Sequence, residues 1–129
     1  MISSFDEMEG ASTLTRKWVP AILFALEGKI VRFTTLRRNL PGISQKTLSE
    51  TLRLLERDGM LKRTAYPTIP PRVEYQLSSF GKQFLNVLET LQAFARESRV
   101  TLERNRQAFD RLKMASASHD GYELQTLHK

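Results

Sequence analysis

A mainly helical fold with a small β wing is what this sequence predicts, on three observations. Apolar residues recur at three- and four-residue steps in several separate stretches, as they do on one face of a helix. Over Leu61 to Tyr66 and Arg72 to Leu77 the pattern turns strand-like, with Val73, Tyr75 and Leu77 alternating with Arg72, Glu74 and Gln76. Glycine and proline separate the stretches, at Gly28, Pro41-Gly42, Gly59 and Pro67 to Pro71. With 129 residues, 40% of them hydrophobic and 26% charged, the chain is one globular domain's worth of protein with a terminal extension.

The elements follow in order. Leu14, Trp18, Ile22, Leu23 and Leu26 form an amphipathic stripe that Gly28 stops, and Pro20 suits the first turn of its regular part. Ile30 to Phe33 is short and β-leaning. Thr34 or Thr35 is the expected cap of a brief helix with Leu36 and Leu40 inward and Arg37, Arg38 and Asn39 outward. After the Pro41-Gly42 break, Ser44 is the expected N-cap of a helix whose stripe is Leu48, Leu52 and Leu55 and whose end is Gly59.

Pro67, Pro70 and Pro71 cannot donate ladder hydrogen bonds, so the segment between the two strands reads as a stiff hairpin tip. Ser78 or Ser79 caps a long final helix bearing Phe80, Phe84, Val87, Leu88, Leu91 and Phe94. Helical character is expected to about Lys113. Met114 to Lys129 reads as a polar, aperiodic, disordered tail.

Two short helices around a tight glycine-containing turn make a helix-turn-helix, and the hairpin directly after them makes it winged. Charge is segregated accordingly. Residues 29–82 carry eleven Lys and Arg against four Asp and Glu, so the middle of the chain holds the whole of the +6 net charge and points to a polyanionic partner.

If Leu48, Leu52 and Leu55 are buried, then Ser44, Gln45, Lys46, Ser49 and Arg53 present hydrogen-bonding and cationic groups outward, suited to base edges and phosphates of double-stranded DNA. Glu50 shares that face, where it either accepts from a cytosine amine or restrains Lys46 or Arg53. Arg37 and Arg38 are candidate backbone contacts, and Arg63, Tyr66 and Arg72 candidate wing contacts, with Arg72 beside the rigid tip and suited to a narrow minor groove. Taken singly, each basic face is simply solvated surface. The combination favours DNA.

The chain also resembles a known family. Arg16-Lys17-Trp18, Arg32-Phe33, Leu36-Arg37-Arg38, Leu40-Pro41-Gly42-Ile43-Ser44, Leu52-Arg53-Leu54-Leu55-Glu56, Asp58-Gly59 and above all Tyr66-Pro67 with Pro70-Pro71-Arg72-Val73-Glu74-Tyr75 look like the HxlR family of bacterial transcription regulators. The match covers about residues 14–95. It implies a homodimeric winged helix-turn-helix protein whose N- and C-terminal helices form the dimer interface. It places the recognition helix at residues 44–58, to lie in the major groove of an inverted-repeat operator, and the wing at 61–77, to lie in the minor groove. Repression is the favoured sign of regulation. One departure stands out. Many relatives sense oxidants through a cysteine before the first helix, and this chain has no cysteine, so any signal must be noncovalent, act on transcript level, or affect methionine oxidation.

The expected organisation is an N-terminal arm (1–13), the winged domain (14–95), a helical dimerisation extension (96–113) and the tail (114–129). A single helix over residues 79–113 would be ~50 Å long, against a radius of gyration of about 14 Å for a compact chain of this size. Either it breaks around Arg96–Arg99 or it packs on a second subunit. Trp18, Phe80, Phe84 and Phe94 are expected in the core or at the dimer seam, where they could also line a pocket for a small-molecule effector.

Other classes find less support. The histidines, His119 and His128, both lie in the tail, and there is no Gly-rich phosphate loop or metal-spaced cluster, so neither an enzyme nor a cofactor or metal is expected. A winged helix used only for protein–protein contact would not need the basic middle segment. No apolar run approaches the ~20 residues of a membrane-spanning helix, and the acidic N-terminus lacks the apolar core of a secretory signal. A cytoplasmic home is expected.

Overall fold

In the computed structural model, the core is built by helices laid against one face of a small sheet. It describes residues 3–10 and 12–127, with side chains as far as residue 118 apart from those of Phe5 and Gly10. The chain divides into two units, Met1–Glu89 and Thr90–Lys129.

The first unit opens with α1 (Ser4–Gly10) and a 3₁₀ turn (Ser12–Thr15), followed by α2 (Val19–Ala25). Pro20 lies in the first turn of α2, where its missing N–H has no helical partner to lose. Ile22, Leu23 and Leu26 of the stripe are fully buried together with Val19, while Leu14 and Trp18 are partly buried against the core.

Strand β1 is only Val31–Arg32, and α3 (Phe33–Arg38) follows it without a linker. The expected threonine cap is therefore corrected. Arg32, in extended conformation, occupies the N-cap position with no side-chain cap, and Thr34 and Thr35 fall inside the first turn. The strand pairing ends where the helix begins, which leaves no position for a separate capping residue. Leu40, Pro41, Gly42 and Ile43 then turn the chain, with the Ile43 N–H donating to the Leu40 carbonyl at 3.3 Å. Gly42 has φ +89°, the left-handed value a type II turn demands after proline.

Helix α4 (Gln45–Arg57) is capped as its sequence dictates, the Ser44 hydroxyl accepting from the Thr47 N–H at 3.0 Å. Ser44→Ala is expected to cost about 1 kcal/mol of stability; an unchanged urea midpoint would show that solvent satisfies that amide equally well. At the other end the Gly59 N–H donates to Glu56 O at 3.0 Å and the Met60 N–H to Leu55 O at 2.9 Å, a Schellman pair with Gly59 at φ +77°.

Strands β2 (Leu61–Tyr66) and β3 (Arg72–Leu77) form the predicted hairpin, and β1 adds to the free edge of β3 in an antiparallel sheet of order β1-β3-β2. The register pairs Leu61 with Leu77, Arg63 with Tyr75, and Tyr66 with Arg72, while Val31 and Arg32 face Tyr75 and Glu74. Because side chains alternate across a strand, Arg63, Tyr75 and Val73 share the face toward the helices. Tyr66, Arg72, Glu74 and Arg32 share the other.

Helix α5 (Ser79–Glu97) begins with the Ser78 hydroxyl accepting from the Gly81 N–H at 3.0 Å, so Ser78 is its cap. Gly81, Leu85 and Leu88 are its buried residues. On the same helix Glu89 meets Glu27, whose carboxyl hydrogen-bonds it and holds its pKa above the ordinary carboxylate range.

The second unit comprises the end of α5 and α6 (Arg99–Leu127). The two helices meet at Ser98, whose N–H donates to Phe94 O at 2.9 Å and whose carbonyl accepts from the Leu102 N–H at 2.8 Å, so the helical hydrogen bonding carries on across it. Backbone in α6 is helical to Leu127, past Lys113, where the sequence suggested that regular structure ends. From 115 to 127 the chain has no proline and only one glycine, so its composition permits helix there. The side chains of 119–129, including His119 and His128, lie outside the described residues. No helix among the described residues is long and apolar enough to cross a membrane.

Candidate nucleic-acid interface

Helix α4 buries Leu48, Thr51, Leu52 and Leu55, and this forces its other side outward. Gln45, Lys46 and Arg53 are exposed and Ser49 is half-buried, as their positions relative to the stripe predict. The buried Thr51 hydroxyl is satisfied by donating to Thr47 O at 2.7 Å, so it places no unpaired polar group in the core. Glu50 restrains neither Lys46 nor Arg53, because among the described residues the ion pair present is Arg72 with Glu74.

Three clefts converge on the half-buried ring of Phe33. One, of about 490 Å³, brings Arg37 and Arg38 at the C-terminal end of α3 beside Gln45 at the start of α4. The helix dipole favours cations at that end of α3. A second, of about 410 Å³, lies between α4 and the hairpin and gathers Ser49, Arg53 and Glu56 with Arg63. A third, of about 360 Å³, joins Arg32 and Thr34 to Pro70, Pro71 and Arg72 at the base of the hairpin tip.

The expected wing residues do not form one patch. Arg63 lies on the face toward α4, and Tyr66 and Arg72 on the opposite face, because they stand three and nine positions away from it across an alternating ladder. Nor does Arg72 project freely. Its guanidinium stacks on the cross-strand Tyr66 ring, 4.0 Å from the centroid, and its Nε lies 3.3 Å from Glu74 Oε1. That Nε–H is shielded from solvent and not aimed at an acceptor, so the attraction is between charges and not a formed hydrogen bond. The Tyr66 hydroxyl donates to Glu74 Oε2 at 3.4 Å and closes the triad. At the tip, Thr68 donates its N–H to Tyr66 O at 2.8 Å and its hydroxyl to Pro70 O at 2.9 Å. Ile69 stands fully in solvent.

The four aromatic residues expected in the core or at a dimer seam divide between core and surface. Trp18 and Phe84 pack against the core, with Lys17 Nζ 5.5 Å from the Trp18 ring centroid, whereas Phe80 and Phe94 are exposed. None of the four lines the clefts described above. Arg32, Phe33 and Thr34 line these clefts too, a role the sequence did not assign them although Arg32-Phe33 is among the family-like motifs. Their signal is the pairing of Arg32 with Glu74, a contact between residues 42 positions apart that no local pattern announces.

The profile of the HxlR-like helix-turn-helix family matches residues 13–102 of this chain, which spans the capped α4, the hairpin and α5. The chain belongs to that family. Proteins similar to it include the HTH-type transcriptional regulator YtfH of Escherichia coli (strain K12), 47% identical over 70 residues that make up 54% of this chain and 56% of YtfH. The regulator YdeP of Bacillus subtilis (strain 168) is 32% identical over 123 residues, 91% of each chain. Among solved structures, ytfH from Salmonella typhimurium superposes with a TM-score of 0.73 at 33% identity, covering 83% of this chain and 99% of that one. Family membership agrees with the winged helix-turn-helix architecture described here. It also agrees with residue types that offer anion and base contacts.

Proposed function

We propose that this protein is a sequence-specific double-stranded DNA-binding transcription regulator that acts as a homodimer on an inverted-repeat operator, most simply as a repressor. The observation that carries the reading is the convergence of Arg37, Arg38 and Gln45 on one cleft beside the outward face of α4. A helix entering the major groove needs base-reading groups on its exposed side and cations flanking it to hold the phosphates. Lys46, Ser49 and Arg53 supply the first, and Arg37 and Arg38 the second. The wing serves the minor groove. Stacking on Tyr66 and pairing with Glu74 order Arg72 before DNA arrives, which lowers the entropy lost on binding. Without cysteine there is no thiol to oxidise, so thiol-based sensing has no place in this reading.

Fluorescence anisotropy of the protein with its own upstream intergenic duplex tests this, against a scrambled duplex at two salt concentrations. Selective binding that survives the higher salt is expected. Lys46→Ala and Arg53→Ala should each cost about 1–3 kcal/mol on the specific duplex if they read bases. Equal losses on both duplexes with a shallower salt slope would reassign them to phosphates. Weak binding to both duplexes, erased by salt, would favour a winged helix used for protein contacts.

A further inference from the structure

The cleft between α4 and the helix-facing side of the hairpin combines an apolar lining with two arginines. Its volume of about 410 Å³ falls within the range that holds small organic ligands. Its lining divides into two chemistries. Phe33, Leu52, Val73 and Tyr75 supply apolar and aromatic surface, and Ser49, Arg53, Glu56 and Arg63 supply polar groups.

The register of the hairpin explains how Arg63 comes to be there. It sits opposite Tyr75 on the face turned toward α4, on β2, the sheet edge that no other strand covers. Among the described residues neither Arg53 nor Arg63 has a carboxylate partner, so both guanidinium charges are uncompensated by ion pairs. Together with Glu56, the rim carries a net single positive charge.

We propose that this cleft binds a small aromatic carboxylate, a monoanion whose ring lies on the apolar lining and whose carboxylate is held by Arg53 and Arg63. The charge and the lining choose this occupant over a phosphate. Glu56 on the rim penalises a group bearing more than one negative charge, and a phosphate has no apolar body to cover Phe33 and Val73. The arginines also stand toward the C-terminal half of α4, away from the N-terminal amides that attract phosphate. On the reading of α4 as the DNA-contacting helix, Ser49 and Arg53 cannot serve ligand and operator together. Occupation of the cleft therefore releases DNA, without any covalent chemistry.

The test is an amide NMR titration of the full-length, DNA-free protein with benzoate, with neutral benzamide and with inorganic phosphate, all at constant ionic strength. Benzoate should give saturable shifts at Ser49, Arg53, Arg63 and Tyr75. Benzamide should bind at least about tenfold more weakly, as loss of a charged hydrogen bond requires, and Arg63→Gln should weaken benzoate similarly. Arg63 is exposed, so that variant keeps the fold, and its unchanged spectrum elsewhere verifies this. No shifts, shifts confined to other residues, or phosphate binding as tightly as benzoate at the same amides would overturn the proposal, the last by making the cleft a seat for DNA backbone only. Added benzoate should then weaken duplex binding in the anisotropy assay. Duplex binding with no benzoate shifts would sink the effector site and leave the DNA-binding reading standing. Benzoate shifts with no duplex bound would do the reverse.

Discussion

Gly81→Ala will destabilise the protein, although alanine is the better helix former. In an open helix this exchange stabilises by roughly 0.5–1 kcal/mol. Here a Cβ on residue 81 would meet the Met60 carbonyl oxygen at 2.1 Å and its carbon at 3.1 Å. Both are backbone atoms, so no rotamer change relieves the contact.

Moving α5 away would break the junction that holds its start. There the Ser78 N–H donates to Met60 O at 3.0 Å, and the Ser78 hydroxyl donates to Gly59 O while accepting from the Gly81 N–H. Overpacking of this kind costs about 1–3 kcal/mol, which outweighs the propensity gain. Urea unfolding should show a lower midpoint for Gly81→Ala and a further drop for Gly81→Val. A raised midpoint for alanine would mean that α5 stands off from Met60 in solution.

The second large effect is expected on assembly. Phe80, Phe84, Val87, Leu91 and Phe94 follow one another at steps of four and three, the spacing of a helix seam. Gly81, Leu85 and Leu88, on the neighbouring face, are the ones the core buries. Val87, Leu91 and Phe94 are 60–65% exposed, and a solvated seam of this kind is the mark of a missing partner helix. In α6, Val100, Leu102, Phe109 and Leu112 are exposed as well.

A second copy of this chain is the partner we propose, in keeping with a twofold operator. Leu91→Glu combined with Phe94→Glu should therefore yield a folded monomer by sedimentation. It should also lower operator affinity by about 10²–10⁴-fold, since each half-site must then be bound without the linked second one. An intact dimer would move the interface elsewhere, to α1, α2 or α6. A monomer with undiminished affinity would separate dimerisation from DNA binding.

Much of the architecture could be read locally because its causes are local. Ser44 and Gly59 bound α4 through hydrogen bonds to residues within five positions, and Pro41-Gly42 dictates its own turn. The alternation in Arg72–Leu77 and the prolines before it mark a hairpin whose two strands are sequence neighbours. The outward face of α4 followed from the same arithmetic, since burying Leu48, Leu52 and Leu55 leaves Gln45, Lys46 and Arg53 no other direction.

What the sequence determined by itself, then, is the order of elements, the basic middle segment and the residues that α4 turns to solvent, because each depends on spacing along a short stretch of chain. Tertiary structure alone decided the rest. That β1 joins β3, and so brings Arg32, Phe33 and Thr34 to the site, depends on a pairing across 42 residues. That Arg63 parts from Tyr66 and Arg72, and that Arg72 is tied to Tyr66 and Glu74, depends on hairpin register, where a shift of one residue would exchange the faces. The need for glycine at 81 depends on how closely α5 approaches the Met60 carbonyl. Such contacts join residues far apart in the chain, and their energies come from packing that exists only once the core has formed.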